Sequence, residues 1–338
     1  MARFRMHGAN PEKLYKNFDL PMPGRVYDFS TNTNALEWDG EIVVDMKHTL
    51  CDYPDDEASE VRTLLAEQNG CKEDEILVVN GSNEAIYLLA SYQNGKRNAL
   101  LQPVYGEYSR ALESFGADTR NIAALNELEA EDGTIWICNP CNPTGDYISS
   151  DEMKLVLQNN RDKLFIIDEA YRDFLLMPDE GADFRGFANA VVMRSLTKIY
   201  HLCGCRIGYV TADKSVISMM KQRQPTWSVN SLAQTAASAF LKDRDFPNRT
   251  REYYRKEVPR FMAELIRAGC ELLPTSVNYF LMKVQNDEEI IRFFLERGIV
   301  VRHTRNFPGL NGKYIRVAAR TRSENDIFVR AVREYFAR

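Results

Sequence analysis

From about residue 74 to 213, short apolar runs alternate with amphipathic stretches, and this alternation constrains the fold more than any other feature of the chain. The runs are ILVV (76–79), ALLQ (99–102), TIWIC (134–138), LFIID (164–168), AVVM (190–193) and RIGYVTA (206–212), separated by stretches such as NEAIYLLASYQ, GEYSRALESFG and SDEMKLVLQNN. Runs of this length suit strands, and a strand that is apolar throughout is one buried on both faces. The pattern predicts an α/β domain with a mainly parallel sheet and helices on both sides. Such sheets bind ligands at the carboxyl ends of their strands, beside helix N-termini.

The residues at those ends carry chemistry. ILVV runs into Gly81-Ser82-Asn83, where a helix begins; its free N–H groups and the Ser82 hydroxyl would bind an anion, or form a plain N-cap. Tyr105, in PVYGEY, would stack on a planar ring or pack as a core aromatic. Asn142, in CNPCNPTG, can point an amide at a ligand oxygen, although two prolines and a glycine also make an ordinary turn. LFIID ends in Asp168, costly to bury without a cation. A salt bridge would supply one, and so would a protonated pyridine nitrogen. Tyr171, three residues on, would then reach a phenolate oxygen on the same ring.

AVVM leads into SLTK, which sets Lys198 in a turn between two buried strands, with Ser195 and Thr197 before it and Arg206 after it. A lone loop lysine is normally solvated. These residues together nevertheless fit one ligand. Lys198 would form an imine, Asp168 would keep a ring nitrogen protonated, and Asn142 and Tyr171 would bond a ring hydroxyl. Tyr105 would stack, while Ser82, Asn83, Ser195, Thr197 and Arg206 would hold a phosphate. That ligand is pyridoxal 5′-phosphate, an electron sink for a carbanion at an amino acid's Cα. Lys198, Asp168 and Tyr105 are the catalytic candidates.

The order GSNEA, PVYGEY, NPTG, DEAY, SLTK and RIGY resembles the fold type I pyridoxal-phosphate enzymes of the class I/II aminotransferase branch, over about residues 80–210. RVAAR (316–320) matches the branch's carboxylate-binding arginine. The resemblance implies a large domain with a mostly parallel mixed sheet and a smaller α+β domain. HGAN (7–10), DFSTNTN (28–34), DYPD (52–55), PTWSVNSLAQ (225–234) and NFPGLNGKYIRVAAR (306–320) extend it to the threonine-phosphate decarboxylases of cobalamin synthesis, with the histidinol-phosphate aminotransferases as near relatives. Ala9 replaces the second glycine of HGGN, and a cysteine interrupts NNPTG.

By resemblance, His7 and Asn32 approach a substrate phosphate, and Tyr53 reaches the cofactor phosphate of a neighbouring subunit, which implies a homodimer with shared sites. The implied reaction is decarboxylation of a phosphorylated amino acid; the alternative is transamination of histidinol phosphate or another phosphorylated or aromatic amino acid with 2-oxoglutarate.

The net charge of −5 argues against nucleic acid as a partner and requires any anionic substrate to be held by local positive charge. Residues 297–322 carry seven Lys/Arg and no Asp or Glu. Most of these suit a solvated basic face, but Arg302, Arg316 and Arg320 lie on or beside predicted strands and are candidates for carboxylate and phosphate recognition. The seven cysteines do not suggest a disulfide framework or a zinc site, and the thiols are expected to be reduced. Nothing at the N-terminus resembles a signal peptide, and no run reaches membrane-spanning length, so a cytoplasmic protein is expected. The expected divisions are an arm at 1–40 that also joins the small domain, a cofactor-binding domain at 41–225 and a small domain at 226–338, with helices near 229–241, 249–268 and 286–297.

Overall fold

A computed structural model of the protein describes residues 10–92, 95–178 and 184–338. Its strands are β1 (Tyr27–Asp28), β2 (Ile76–Val79), β3 (Arg97–Leu101), β4 (Thr119–Ile122), β5 (Asp132–Cys138), β6 (Leu164–Asp168), β7 (Ala190–Ser195), β8 (Gly208–Ala212), β9 (Tyr279–Lys283), β10 (Ile299–Val300), β11 (Arg302–His303) and β12 (Tyr314–Ala318). Helices α1 (Pro11–Asn17) and α2 (Met46–Cys51) precede the large sheet. Helices α3 (Ser59–Asn69), α4 (Gly81–Ala90), α5 (Glu107–Ser114), α6 (Ser150–Asn159), α7 (Leu196–Ile199) and α8 (Lys214–Lys221) belong to its layers. The C-terminal part contains α9 (Ser231–Lys242), α10 (Phe246–Arg267), α11 (Asp287–Leu295) and α12 (Arg322–Phe336).

Seven strands form one sheet in the order β2-β8-β7-β6-β5-β3-β4. β8 is antiparallel to both of its neighbours, and the other pairs are parallel. The expected mainly parallel sheet thus forms, with one strand reversed. Successive residues of a strand point to opposite faces. Trp136 and Ile166 accordingly pack with Ile86, Leu89 and Leu112 of α4 and α5, while Ile135, Ile137, Phe165 and Ile167 pack with Met153 and Leu157 of α6. Asp168, two residues beyond Ile166, falls on the α4–α5 face.

The differences from the sequence reading have local causes. β4 has the sequence TRNI, too polar to read as a buried strand; it lies at the sheet edge with only Ile122 buried. β8 begins at Gly208 rather than Arg206, because Arg206 adopts φ +57°, outside any strand conformation. Lys198 lies on a helical turn, α7, that follows β7 directly.

A second sheet, β11-β12-β9, is antiparallel and backed by α10 and α12. The N-terminal segment is stitched to this layer. β1 pairs in parallel with β10, the Tyr15 hydroxyl donates to the Leu295 carbonyl at 2.8 Å, and the Phe29 ring lies 4.8 Å from that of Phe328. Tyr15, Phe18 and Phe29 are fully buried, which accounts for the attachment. The chain then crosses to the large sheet, where Asn34 N–H donates to the Lys198 carbonyl at 3.0 Å. Residues 30–34 therefore lie over the carboxyl ends of the strands. Among the described residues no helix is long and apolar enough to cross a membrane.

Candidate active site

The two adjacent carboxylates at the end of β6 have different surroundings. Glu169 is ion-paired, with Arg172 at 2.8 Å and Arg194 at 2.8 Å. Asp168 faces the opposite way and is buried. Its Oδ2 accepts from the Tyr108 hydroxyl at 2.6 Å and its Oδ1 from the Ala170 N–H at 3.0 Å. Neither donor is a cation, so the salt bridge that would make Asp168 a structural residue went to its neighbour. Burial pushes Asp168 above the ordinary carboxylate range, and Glu169 adds to the rise; Tyr108, Ala170 and the charge of Lys198 oppose it. A protonated ring nitrogen would give this carboxylate the positive partner it lacks.

Lys198 is partly buried, and its amine takes no hydrogen bond or ion pair among the described residues. Burial pulls its amine below the ordinary lysine range; Arg316 and Arg206 reinforce this, while Cys203 and Asp168 oppose it. An amine destabilised as a cation is the nucleophilic form that carbonyl chemistry requires.

Beside it, the Ser195 and Thr197 hydroxyls lie 2.7 Å apart, both buried. The Arg206 guanidinium crosses the first turn of α4, where a Cβ at Gly81 would come within 2.5 Å of Nη2. Gly81 (φ +70°) therefore both permits the turn and admits the arginine. Ser82 and Asn83 occupy that first turn. Open helix N–H groups, two hydroxyls and a guanidinium together form a cradle suited to a phosphate. The Tyr105 hydroxyl donates to Asn83 Oδ1 at 3.4 Å, placing its ring between this cradle and Tyr108.

Asn142 is buried on the turn after β5, and its Oδ1 accepts from Arg316 of β12. Arg316 also donates to the Ser30 carbonyl at 2.6 Å and lies over the Tyr279 ring. Tyr171 packs edge-on against Tyr279 at 5.0 Å, with its hydroxyl pushed well up by burial. Arg302 contacts His303 Nε2 at 2.6 Å and donates to Asn306 Oδ1 at 2.8 Å. Burial and the like charge of Arg316 push Arg302 down to about 9, which leaves it cationic at neutral pH. Arg320 is 3.9 Å from Glu324, and its Nε and Nη1 have no hydrogen-bond partner among the described residues. Asn32 is buried beside Tyr171, and its amide atoms likewise lack partners there.

Two expected residues are not in this cluster. Tyr53 is exposed and stacks on Trp227 at 4.4 Å, and His7 lies outside the described residues. Sequence reasoning missed Tyr108, whose position in an amphipathic stretch marks it only as a core aromatic.

The sequence profile of the class I and II aminotransferases matches residues 26–332. The chain belongs to this family. Its members depend on pyridoxal phosphate, and the buried Asp168, the amine of Lys198 and the donors around the start of α4 fit that cofactor. The chain is 30% identical to a threonine-phosphate decarboxylase of Salmonella typhimurium, over 98% of this chain and 97% of that one. It is 31% identical to a histidinol-phosphate aminotransferase of Moorella thermoacetica, over 84% and 78%. The crystal structure of an L-threonine-O-3-phosphate decarboxylase from Porphyromonas gingivalis superposes with a TM-score of 0.84 at 27% identity, covering 93% of this chain and all of that one.

Proposed function

We propose that the protein decarboxylates L-threonine O-3-phosphate to (R)-1-amino-2-propanol O-2-phosphate and CO₂. The observation that carries this reading is the basic wall beside the cofactor site. Arg302 and Arg316 are buried, the charge of Arg316 bears on Arg302, and Arg320 follows two residues beyond β12 with Nε and Nη1 free of hydrogen bonds among the described residues. Such a wall suits a substrate with two anionic groups, a phosphate and a carboxylate. The end-to-end similarity to threonine-phosphate decarboxylases supports the same substrate.

Bound pyridoxal phosphate supplies an electron sink at the substrate's Cα. Asp168 would hold a proton at the ring nitrogen, Tyr105 would cover the ring, and Asn142 and Tyr171 would bond its hydroxyl. Ser82, Asn83, Ser195, Thr197 and Arg206 would hold the cofactor phosphate. Lys198 would hold the cofactor at its carbonyl carbon and, when free, would carry a proton at Cα. Arg302, Arg316 and Arg320, with Asn32 and His7, grip the substrate's anionic ends and so decide which Cα substituent leaves. Residues 41–225 would form the cofactor-binding unit, and 226–338 with the N-terminal 40 residues the unit that selects the substrate.

A second copy of the chain fits the exposed apolar group Val43, Met46, Leu50, Tyr53 and Trp227, exposed by between 48% and 78%. Covering it would bring Tyr53 to the partner's cofactor phosphate. The same residues suit a homodimer.

The test is incubation of the purified, cofactor-loaded protein with threonine phosphate and measurement of CO₂. Glutamate formed from 2-oxoglutarate and histidinol phosphate, without CO₂ from threonine phosphate, would assign transamination instead.

A further inference from the structure

Tyr108 has no place in the assignments above, yet its hydroxyl makes the shorter hydrogen bond to Asp168, the one buried carboxylate among the described residues without a cationic hydrogen-bond partner. It donates to Asp168 Oδ2 at 2.6 Å inside the protein, across 60 residues of sequence. The Ala170 N–H takes Oδ1 at 3.0 Å. Each carboxylate oxygen is therefore held by one donor, which fixes the plane of the group and leaves a lone pair on each oxygen for a further N–H. The Tyr108 ring is itself held, 5.5 Å from Trp136 and edge-on to Tyr105 at 5.9 Å. Tyr108 thus buttresses both the carboxylate and the aromatic ring expected to cover the cofactor.

We propose that Tyr108 is a positioning residue for the cofactor: its hydroxyl orients Asp168 and keeps it a carboxylate, so that the pyridine nitrogen stays protonated. The proposal rests on the assignment of Asp168 to that nitrogen and is independent of which Cα bond breaks. The groups around Asp168 are Tyr105 and Tyr108 from the α5 side, Cys138 on β5, Glu169 and Tyr171 beyond β6, and Lys198 on α7. Glu169 is committed to Arg172 and Arg194, so Lys198 is the only cation among them. In the apoprotein the tyrosine hydroxyl, one backbone N–H and the charge of Lys198 offset the burial of the carboxylate, and a protonated ring nitrogen would add to them.

The sign of the effect follows. Removing the donor raises the proton affinity of Asp168 further, so that loss of cofactor affinity on acidification begins at a higher pH. Pyridoxal phosphate is titrated into the apoprotein across a pH series and followed by quenching of protein fluorescence. Tyr108→Phe, which keeps the ring packing, is expected to weaken affinity about tenfold or more, the usual worth of a hydrogen bond to a charged group. It should also move the acid limb upward. The same change in an Asp168→Asn background should alter affinity less than about twofold, because the pair is then already broken. Replacing Tyr108 by 3-fluorotyrosine, a stronger donor of the same shape, should move the acid limb downward.

An unchanged Tyr108→Phe protein, or equal losses in both backgrounds, would overturn the role of Tyr108 while leaving that of Asp168 intact. Wild-type affinity and acid limb in Asp168→Asn alone would overturn the Asp168 assignment, and the proposal with it.

Discussion

Arg316 of β12 donates to Asn142 Oδ1, so a residue of the small antiparallel sheet is joined to the turn that closes β5 of the large one. The bond orients Asn142: with Oδ1 committed to the arginine, its NH₂ is left to donate to the cofactor hydroxyl. In the proposed assignment, substrate recognition and cofactor polarisation therefore share one guanidinium. Arg316→Lys cannot keep both the Asn142 and Ser30 contacts, because an ammonium lacks the planar fork. The expected result is a fall in kcat/KM of about tenfold to a hundredfold, at a cost of about 1–3 kcal/mol of stability from the unpaired buried acceptors. Steady-state kinetics and thermal unfolding measure the two parts. A changed KM with kcat intact would mean that the coupling to Asn142 is absent.

The adjacent carboxylates allow opposite outcomes from neighbouring substitutions. Asp168→Asn should abolish most turnover while leaving the apoprotein as stable as before, since it removes a buried charge that has no cationic hydrogen-bond partner. Glu169→Ala should instead cost about 3 kcal/mol, because it strands Arg172 and Arg194. The pH dependence separates them further. Asp168 is raised above its ordinary 3.8, so between that value and its folded pKa the folded apoprotein holds more protons than the unfolded chain. Stability therefore falls as pH rises through this window. Asp168→Asn should flatten the dependence, as urea unfolding at several pH values would reveal.

This contrast also marks what was legible in the sequence. Strands buried on both faces, such as LFIID and AVVM, are apolar throughout and declare themselves, and the polar residues that end them stand out against that background. Asp168 and Lys198 were readable for this reason. Which of Asp168 and Glu169 would take the arginines was not, because Arg194 lies on β7 and Tyr108 on α5, and only the folded sheet brings them to β6. The same holds for residues 27–30. Two residues of β1 carry no periodic signal, yet they join the segment to β10 and place Ser30 against Arg316. Arg302, Arg316 and Arg320 were visible as a basic run, but the burial that separates them from a solvated face was not.

Lys198→Ala should leave no measurable turnover while pyridoxal phosphate still binds through its phosphate cradle. Borohydride treatment followed by mass measurement should find cofactor fixed to the wild-type protein and none fixed to the variant. Full activity in the variant would remove Lys198 from the chemistry. Because burial and the neighbouring arginines lower the amine's pKa, cofactor capture should proceed at pH values where an exposed lysine is almost wholly protonated. A capture rate that rises only near pH 10 would show that the amine is not activated.

Arg320→Ala tests how the carboxylate is held. Its Nε and Nη1 have no hydrogen-bond partner among the described residues and its Glu324 contact is long, 3.9 Å, so truncation breaks little within the protein and stability should change by less than about 1 kcal/mol. If Arg320 grips ground state and transition state alike, KM rises and kcat holds; if it sets the orientation at Cα, kcat falls as well. The second outcome is expected for a decarboxylase, because misorientation exposes the α-proton to removal. The variant should therefore release less CO₂ and form more amine-transfer product, a partition read by assaying both products in one incubation. Loss of both in equal proportion would leave Arg320 a binding residue only.

The exposed group Val43, Met46, Leu50 and Tyr53 makes the last prediction. α2 has no buried residue, so in a single chain it presents Met46 and Leu50 to water. Leu50→Asp puts a charge where a partner copy would exclude solvent, a cost of several kcal/mol if the face is covered and close to none if it is not. Sedimentation should show a dimer becoming a monomer, with pyridoxal phosphate affinity falling because Tyr53 no longer reaches the neighbouring site. Tyr53→Phe separates the two effects: the dimer should persist while cofactor affinity drops about tenfold, the worth of one hydrogen bond to a charged phosphate. A monomer at all concentrations in the wild type, with full cofactor affinity, would show that each chain completes its own site and that Tyr53 has no part in it.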